Sequence, residues 1–147
     1  RFHTPLQVEV VLGSKAPHLE DIRQQSNDHP FNVTVSIDVK DMGKRMLNSD
    51  LAIGAGGTTS WERCCLGLPT LTISIAENQD NIIKNIVKFG ASIQIGDSKR
   101  ISDSDIKNAV QNLCEDEVSM IELSNRCFQI VDGFGLGRVA KCMEDLL

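Results

Sequence analysis

Residues 54–62, "GAGGTTSWE", combine residue types that bind phosphate groups. Glycines at Gly56 and Gly57 let the backbone approach a bulky anion, and a helix that starts after them would direct free N–H groups toward it. The motif is not a P-loop, because G-K-[ST] is missing, nor a G-x-G-x-x-G fingerprint, because the glycines fall at 54, 56 and 57. Three hydroxyl side chains that add donors follow: Thr58, Thr59 and Ser60.

Glu62 has two interpretations. Beside a bound phosphate its carboxylate would accept hydrogen bonds from ribose hydroxyls. Alternatively, Thr59 and Glu62 have the spacing of a capping box, in which the two side chains bind backbone N–H groups at a helix start and no ligand is needed. The residues by themselves leave both alternatives open.

Residues 76–81, "AENQDN", form a second candidate segment. Amide and carboxylate side chains offer donors and acceptors that suit the hydroxyl and acetamido groups of a sugar. The same residue types also cap helices, so Asn78 or Asp80 could instead start the following helix.

Two further segments are weaker candidates. In residues 13–18, "GSKAPH", the glycine and serine could contact a diphosphate, whereas a lone histidine such as His18 is more often a surface residue than a general base. In residues 132–138, "DGFGLGR", the glycines lie between two helical segments, which favours a helix stop and restart, although Arg138 could approach a ligand.

Apolar runs rich in branched residues alternate with segments of helical period, which predicts an α/β fold, a Rossmann-like parallel sheet with helices on both faces. Ligands of such sheets bind outside the carboxyl ends of the strands. The predicted strands cover residues 6–13, 32–39, 50–57, 69–74 and 92–96, the last at an edge. The predicted helices cover residues 17–25, 41–49, 58–68 and 78–90, followed by three that start at Ser102, Glu117 and Gly137.

The 147 residues suit one domain with one core. A net charge of -5 argues against a nucleic-acid partner or membrane-surface binding. No apolar run reaches the ~20 residues of a membrane span, and no signal peptide is evident, so we expect a cytoplasmic protein. Because the chain starts without methionine, we also expect it to be part of a longer protein.

The five cysteines show no C-x-x-C spacing and no nearby histidine. This pattern predicts neither a metal site nor a disulfide framework, and we expect reduced thiols in the core. No residue pattern indicates a cofactor.

Residues 49–79, "SDLAIGAGGTTSWERCCLGLPTLTISIAENQ", resemble the signature of the nucleotide-sugar hydrolases of pseudaminic acid biosynthesis, and "VDGFGLGRVAK" at 131–141 extends the likeness. These enzymes remove UDP from a UDP-linked diacetamido-trideoxy-altropyranose. They are similar to the lipid II glycosyltransferase, which has the GT-B architecture of two Rossmann-like domains facing across a cleft. The resemblance covers the carboxyl-terminal, nucleotide-binding domain.

The resemblance implies a role for each matching position. The diphosphate would be held by four residues, Gly56, Gly57, Thr58 and Thr59. Glu62 would bind the ribose hydroxyls. The uracil would lie against Ile37, Asp38 and Val39, and the sugar would contact Asn78, Gln79 and Asn81.

Two departures from the family matter. The catalytic histidine of these hydrolases lies in the amino-terminal domain, so we expect no catalytic residue in this chain, and that domain is an expected partner. The basic residue that precedes the glycine loop in the glycosyltransferase relatives is Ala55 here. Two alternatives to the hydrolase remain open: the donor-binding domain of a GT-B glycosyltransferase, and a nucleotide-sugar-binding module fused to a nonulosonate cytidylyltransferase.

Overall fold

A computed structural model describes residues 6–146 and has an α/β fold with parallel strands flanked by helices, as the sequence predicts. A single 3₁₀ turn, Glu77–Gln79, precedes the fourth helix. The strands are β1 (Gln7–Leu12), β2 (Asn32–Ile37), β3 (Ala52–Ala55), β4 (Thr70–Ser74) and β5 (Ile93–Asp97). The helices are α1 (Leu19–Asn27), α2 (Met42–Leu47), α3 (Thr59–Cys65), α4 (Asp80–Lys88), α5 (Asp103–Cys114), α6 (Glu117–Ile130) and α7 (Gly135–Glu144).

The chain divides into two compact units, Arg1–Met42 and Gly43–Leu147. In the first unit, β1 and β2 form a parallel two-stranded sheet, with Gln7 opposite Asn32 and Leu12 opposite Ile37. Both strands alternate exposed and half-buried residues at their start, which is the period expected of a strand with one covered face.

The second unit contains a parallel sheet in the order β3-β4-β5, so β5 is an edge strand, as predicted. The central strand β4 is buried along most of its length although three of its five residues carry hydroxyls. Those hydroxyls are paired: Thr72 Oγ1 lies 2.6 Å from Ser92 Oγ, which donates to the Thr70 carbonyl at 2.8 Å. Paired hydroxyls can be buried at low cost.

The core of the second unit has two clusters. One contains Cys64, Ile86, Ala91 and Cys127, and links α3, α4 and α6. The other is built on Leu71, Leu113 and Leu123, and packs β4 against α5 and α6. Of the cysteines, only Cys64 and Cys127 are buried; Cys65 is half-buried, and Cys114 and Cys142 are exposed. All five are free thiols, but the expectation that they lie in the core holds only for Cys64 and Cys127, because exposed helix positions accept a cysteine at little cost.

Some helix boundaries follow capping residues. Ser102 caps α5 in a full capping box with Asp105, and Gly90 follows α4 with φ 72°, a conformation that favours glycine. The turn at Gly133 separates α6 from α7, which confirms a helix stop and restart. α7 begins at Gly135, two residues before the predicted start. Within residues 6–146, no helix is long and apolar enough to span a bilayer.

Candidate functional site

The glycine loop follows β3 directly. The strand ends at Ala55, Gly56 and Gly57 form the loop, and Thr58 is the N-cap residue of α3. β3 and β4 are parallel neighbours, so the loop lies at the same sheet edge as the residues that follow β4. The structure therefore places two of the predicted binding segments at the carboxyl edge of one sheet.

Gly56 is buried and its lack of a side chain is required by packing. A Cβ built at Gly56 would overlap Ile83 Cγ1 and lie 2.5 Å from Ile83 Cδ1. Ile83 is a core residue of α4 with 1% exposure. The absence of a side chain at Gly56 thus allows the loop to pack closely against α4.

Gly57 is half-buried and faces the second candidate segment. A Cβ at Gly57 would lie 3.6 Å from Gln79 Nε2, an ordinary contact distance. Gln79 Oε1 is buried and has no hydrogen-bond partner among the described residues. Buried amide oxygens are normally paired, so this oxygen is available to a donor group of a ligand.

Some hydroxyl and carboxylate groups of this region make hydrogen bonds within the described residues, and others do not. Thr58 caps α3 without a side-chain hydrogen bond, and Thr59 is already helical, so the capping box of Thr59 and Glu62 does not form. The exposed Glu62 carboxylate makes no hydrogen bond or ion pair within residues 6–146. Ser60, in contrast, is buried and accepts a hydrogen bond from Arg63 at 2.9 Å.

The residues after β4 present amides to the same edge. Asn78 and Asn81 are exposed, at the 3₁₀ turn and in the first turn of α4. No side chain caps α4, so the alternative role of Asn78 as a helix cap is not realised. The Asp80 carboxylate accepts a hydrogen bond at 2.8 Å from the buried Ser74 hydroxyl at the end of β4.

Arg63 is a residue of this region that the sequence reasoning missed. Its side chain is buried, and Nη2 donates to the Ala55 carbonyl at 2.7 Å. Burial lowers the pKa of Arg63. The available signal was Gly54, a strand glycine, since such glycines often mark the close approach of another group.

The proposed uracil residues belong to the first unit. Ile37 ends β2, Asp38 follows it with φ 48°, and Val39 is half-buried. Asp38 Oδ1 accepts a hydrogen bond from the Ser14 backbone N–H at 2.8 Å. Hydrogen bonds from Ser14 lower the pKa of Asp38. The loops after β1 and β2 are thereby joined at the carboxyl edge of the two-stranded sheet.

The remaining charged candidates have local explanations. His18 is exposed, has φ 65°, and its Nδ1 lies 3.4 Å from the Asp21 carboxylate of the same helix. Arg138 forms a bidentate ion pair with Asp132, at 2.6 and 2.9 Å. That pairing lowers the pKa of Asp132 to about 2. No group of three His, Cys, Asp or Glu side chains suited to a metal ion occurs in residues 6–146.

Comparison with solved structures defines the fold of the chain. The fold is similar to that of MurG from Acinetobacter baumannii, with a TM-score of 0.73 and 18% identity over 98% of this chain and 42% of that one. It is also similar to the glycotransferase of kitacinnamycin, with a TM-score of 0.67 and 19% identity over 100% of this chain and 45% of that one. The chain thus has the Rossmann-like α/β fold of one half of a GT-B glycosyltransferase.

Residues 7–134 match a family described as "Protein of unknown function (DUF354)", and the chain belongs to that family. The chain is also 29% identical over 136 residues to the spore coat polysaccharide biosynthesis protein SpsG of Bacillus subtilis (strain 168). The match covers 92% of this chain and 40% of that protein, so the chain spans well under two thirds of this relative.

Proposed function

We propose that this chain binds the diphosphate of a nucleotide sugar at the loop Gly56–Thr59, as the nucleotide-binding domain of a larger cytoplasmic enzyme. The observation that carries the proposal is the junction of two loops at the carboxyl edge of the second sheet, where the Gln79 amide nitrogen, a hydrogen-bond donor, lies 3.6 Å from the Cβ position of Gly57. The free hydroxyls of Thr58 and Thr59 lie in the same loop. Backbone and hydroxyl donors of this kind bind anions without a metal ion.

The ribose, the sugar and the base would each be bound by other residues. Glu62 would accept hydrogen bonds from both ribose hydroxyls, a role for which its carboxylate is unoccupied within the described residues. Asn78, Gln79 and Asn81 would contact the sugar. Ile37, Asp38 and Val39 would contact the uracil, with Asp38 held by Ser14.

The reaction we propose for the parent enzyme is hydrolysis of a UDP-linked diacetamido-trideoxy sugar for pseudaminic-type acid biosynthesis. Water would attack the anomeric carbon as the bond to the diphosphate oxygen breaks, with UDP as the leaving group and the water proton passing to a base in the amino-terminal domain. Donors at the glycine loop would stabilise the charge that develops on UDP. The polysaccharide role named for SpsG supports a nucleotide-sugar substrate.

A glycosyltransferase is the second candidate, and a specific observation favours it. Both solved structures described above share the fold, and one is named a glycotransferase. In that case an acceptor hydroxyl would replace water at the anomeric carbon, and the role of the glycine loop would be the same.

The nucleotide-binding proposal is tested by calorimetric titration of this chain with UDP, UMP, CDP and uridine. We expect UDP to bind best and the Gly57→Val variant to lose at least tenfold in affinity, because a branched side chain next to Gln79 blocks the approach of phosphate. The matched control is Gly43→Val, at an exposed glycine with no atom within 4 Å of its Cβ position. Equal binding of UDP and uridine would refute a diphosphate site.

The reaction is tested with the full-length parent enzyme and a UDP-diacetamido-trideoxy sugar. A hydrolase releases UDP and free sugar in the absence of any acceptor. A glycosyltransferase releases UDP at an appreciable rate only when an acceptor is added. Turnover by the present chain alone would contradict the assignment of catalysis to the other domain.

A further inference from the structure

A buried positive charge lies beside the glycine loop. Arg63 is 7% exposed, and its Nη2 donates to the Ala55 carbonyl at 2.7 Å and to Ser60 Oγ at 2.9 Å. Its Nε is also buried and has no partner in the described part of the chain. No carboxylate of residues 6–146 forms an ion pair with it. A buried charge without a counter-charge is destabilising unless something offsets it.

Gly54 provides the space for this guanidinium. A Cβ at Gly54 would lie 2.5 Å from Arg63 Nη1 and 3.2 Å from Cζ. The guanidinium thus lies directly on the backbone of β3, one residue before the carbonyl that it binds. The first glycine of the motif therefore serves Arg63 and not a ligand.

We propose that Arg63 is the positioning residue of the glycine loop: it joins the end of β3 to the first turn of α3 and places an unpaired positive charge next to the anion-binding backbone. Its two acceptors, Ala55 and Ser60, lie on either side of Gly56–Thr59. Ser60 Oγ itself donates to the Ala55 carbonyl at 3.4 Å, so removal of the guanidinium would leave this long hydrogen bond as the remaining side-chain link across the loop.

The charge persists across the neutral pH range. The ionisable groups that affect Arg63 electrostatically are Glu62, Cys64 and Cys127. Burial lowers the pKa of Arg63, but a guanidinium starts so high that it stays protonated at neutral pH. A diphosphate carries negative charge at neutral pH, so its binding would add to the weak counter-charge that the exposed Glu62 carboxylate supplies to Arg63. This electrostatic part rests on the proposed function, whereas the positioning part does not.

The positioning part is tested without ligand by amide hydrogen exchange in Arg63→Met. The Ser60 and Trp61 amides donate to the Gly57 and Thr58 carbonyls, both at 3.0 Å. We expect exchange of these two amides to accelerate about tenfold or more, since two charge-assisted hydrogen bonds are lost. Arg126→Met, at an exposed arginine of α6, is the control and should leave both rates unchanged. Unchanged loop exchange in a folded Arg63→Met protein overturns the proposal.

The electrostatic part is tested by UDP and uridine titrations of the same proteins and of Arg63→Lys. We expect Arg63→Met to weaken UDP at least tenfold and uridine less than twofold, and Arg63→Lys to recover part of the UDP affinity. That recovery should fall as pH rises above neutrality, because burial lowers the pKa of a lysine into a range where it loses its proton. The electrostatic part is overturned if Arg63→Lys and Arg63→Met weaken UDP binding equally. It is also overturned if Arg63→Met weakens the binding of UDP and of uridine equally. If the unmodified chain binds no UDP, the proposed function fails, and the exchange experiment still decides the positioning role.

Discussion

Substitution of Gly56 by alanine tests whether the glycine loop is packed against α4 as the structure shows. The added methyl group would overlap Ile83 Cγ1 and lie 2.5 Å from Cδ1, so Ile83 must move by about 1.5 Å before an ordinary carbon contact of about 3.5 Å is restored for both atoms. Ile83 is 1% exposed and branched at Cβ, so it has little freedom to rotate away. We expect Gly56→Ala to lower the free energy of unfolding by about 1–3 kcal/mol, as overpacked cores do.

The assay is urea unfolding followed by the fluorescence of Trp61, the only tryptophan, which lies in α3 next to the loop. In a parallel thermal unfolding experiment, the melting temperature of a chain of this length should fall by roughly 2–4 °C for each kcal/mol of lost stability. Gly43→Ala is the control for the glycine change itself. It lies in α2 with open space at its Cβ position, and should be neutral or stabilising by up to about 1 kcal/mol.

The clash is isolated by repeating the substitution in an Ile83→Ala background. Truncation removes Cγ1 and Cδ1 and leaves Cβ, which lies 3.5 Å from the new methyl group. Ile83→Ala alone should cost about 2–5 kcal/mol. In that background Gly56→Ala should cost almost nothing, so the two changes should couple by about 1–3 kcal/mol. An equal cost of Gly56→Ala in both backgrounds would refute the packing argument.

Three further predictions concern other residues. Glu62→Ala should weaken UDP about tenfold to a hundredfold, through the loss of charged hydrogen bonds to the ribose, and should remove the preference for UDP over 2′-deoxy-UDP. Asp132→Asn should lower the melting temperature near neutral pH, and the difference from the unmodified chain should shrink as pH falls from about 4 toward 2, because the pKa of Asp132 is lowered to about 2 by Arg138. Ser102→Ala should cost about 0.5–2 kcal/mol, since it removes the hydroxyl that accepts from the Asp105 amide at the start of α5.

Each of these predictions has an outcome that contradicts it. If Glu62→Ala weakens UDP and 2′-deoxy-UDP equally relative to the unmodified chain, the carboxylate does not read that hydroxyl. The sign for Asp132 is set by linkage: a carboxyl whose pKa is lower in the folded state stabilises the fold above its unfolded pKa, so a difference that grows in acid would contradict the ion pair. For Ser102, Ser98→Ala in the preceding exposed turn is the control, and an equal cost at both positions would contradict a capping role.

Much of the fold could be predicted because it depends on local patterns. Parallel strands separated by helical segments follow from the alternation of apolar runs. Ser102 starts α5 through its side-chain cap, and Gly90 ends α4 because its positive φ favours glycine. The start of α7 was missed by two residues, since Gly135 and Gly137 are poor helix formers and only the tertiary setting places them in a helix.

The sequence by itself determined the residue types of the candidate site: donors in a glycine loop after a strand, a carboxylate in the helix that follows, and an amide-rich segment after the next strand. Spacing along the chain is sufficient for that inference, because parallel strands bring the segments at their carboxyl ends to one edge. Only the tertiary structure decided which side chain packs against each glycine. Gly54 makes room for Arg63, Gly56 for Ile83, and Gly57 alone faces the polar group of Gln79. These partners lie 9, 27 and 22 residues away along the chain, and such contacts are set by packing and not by local preference.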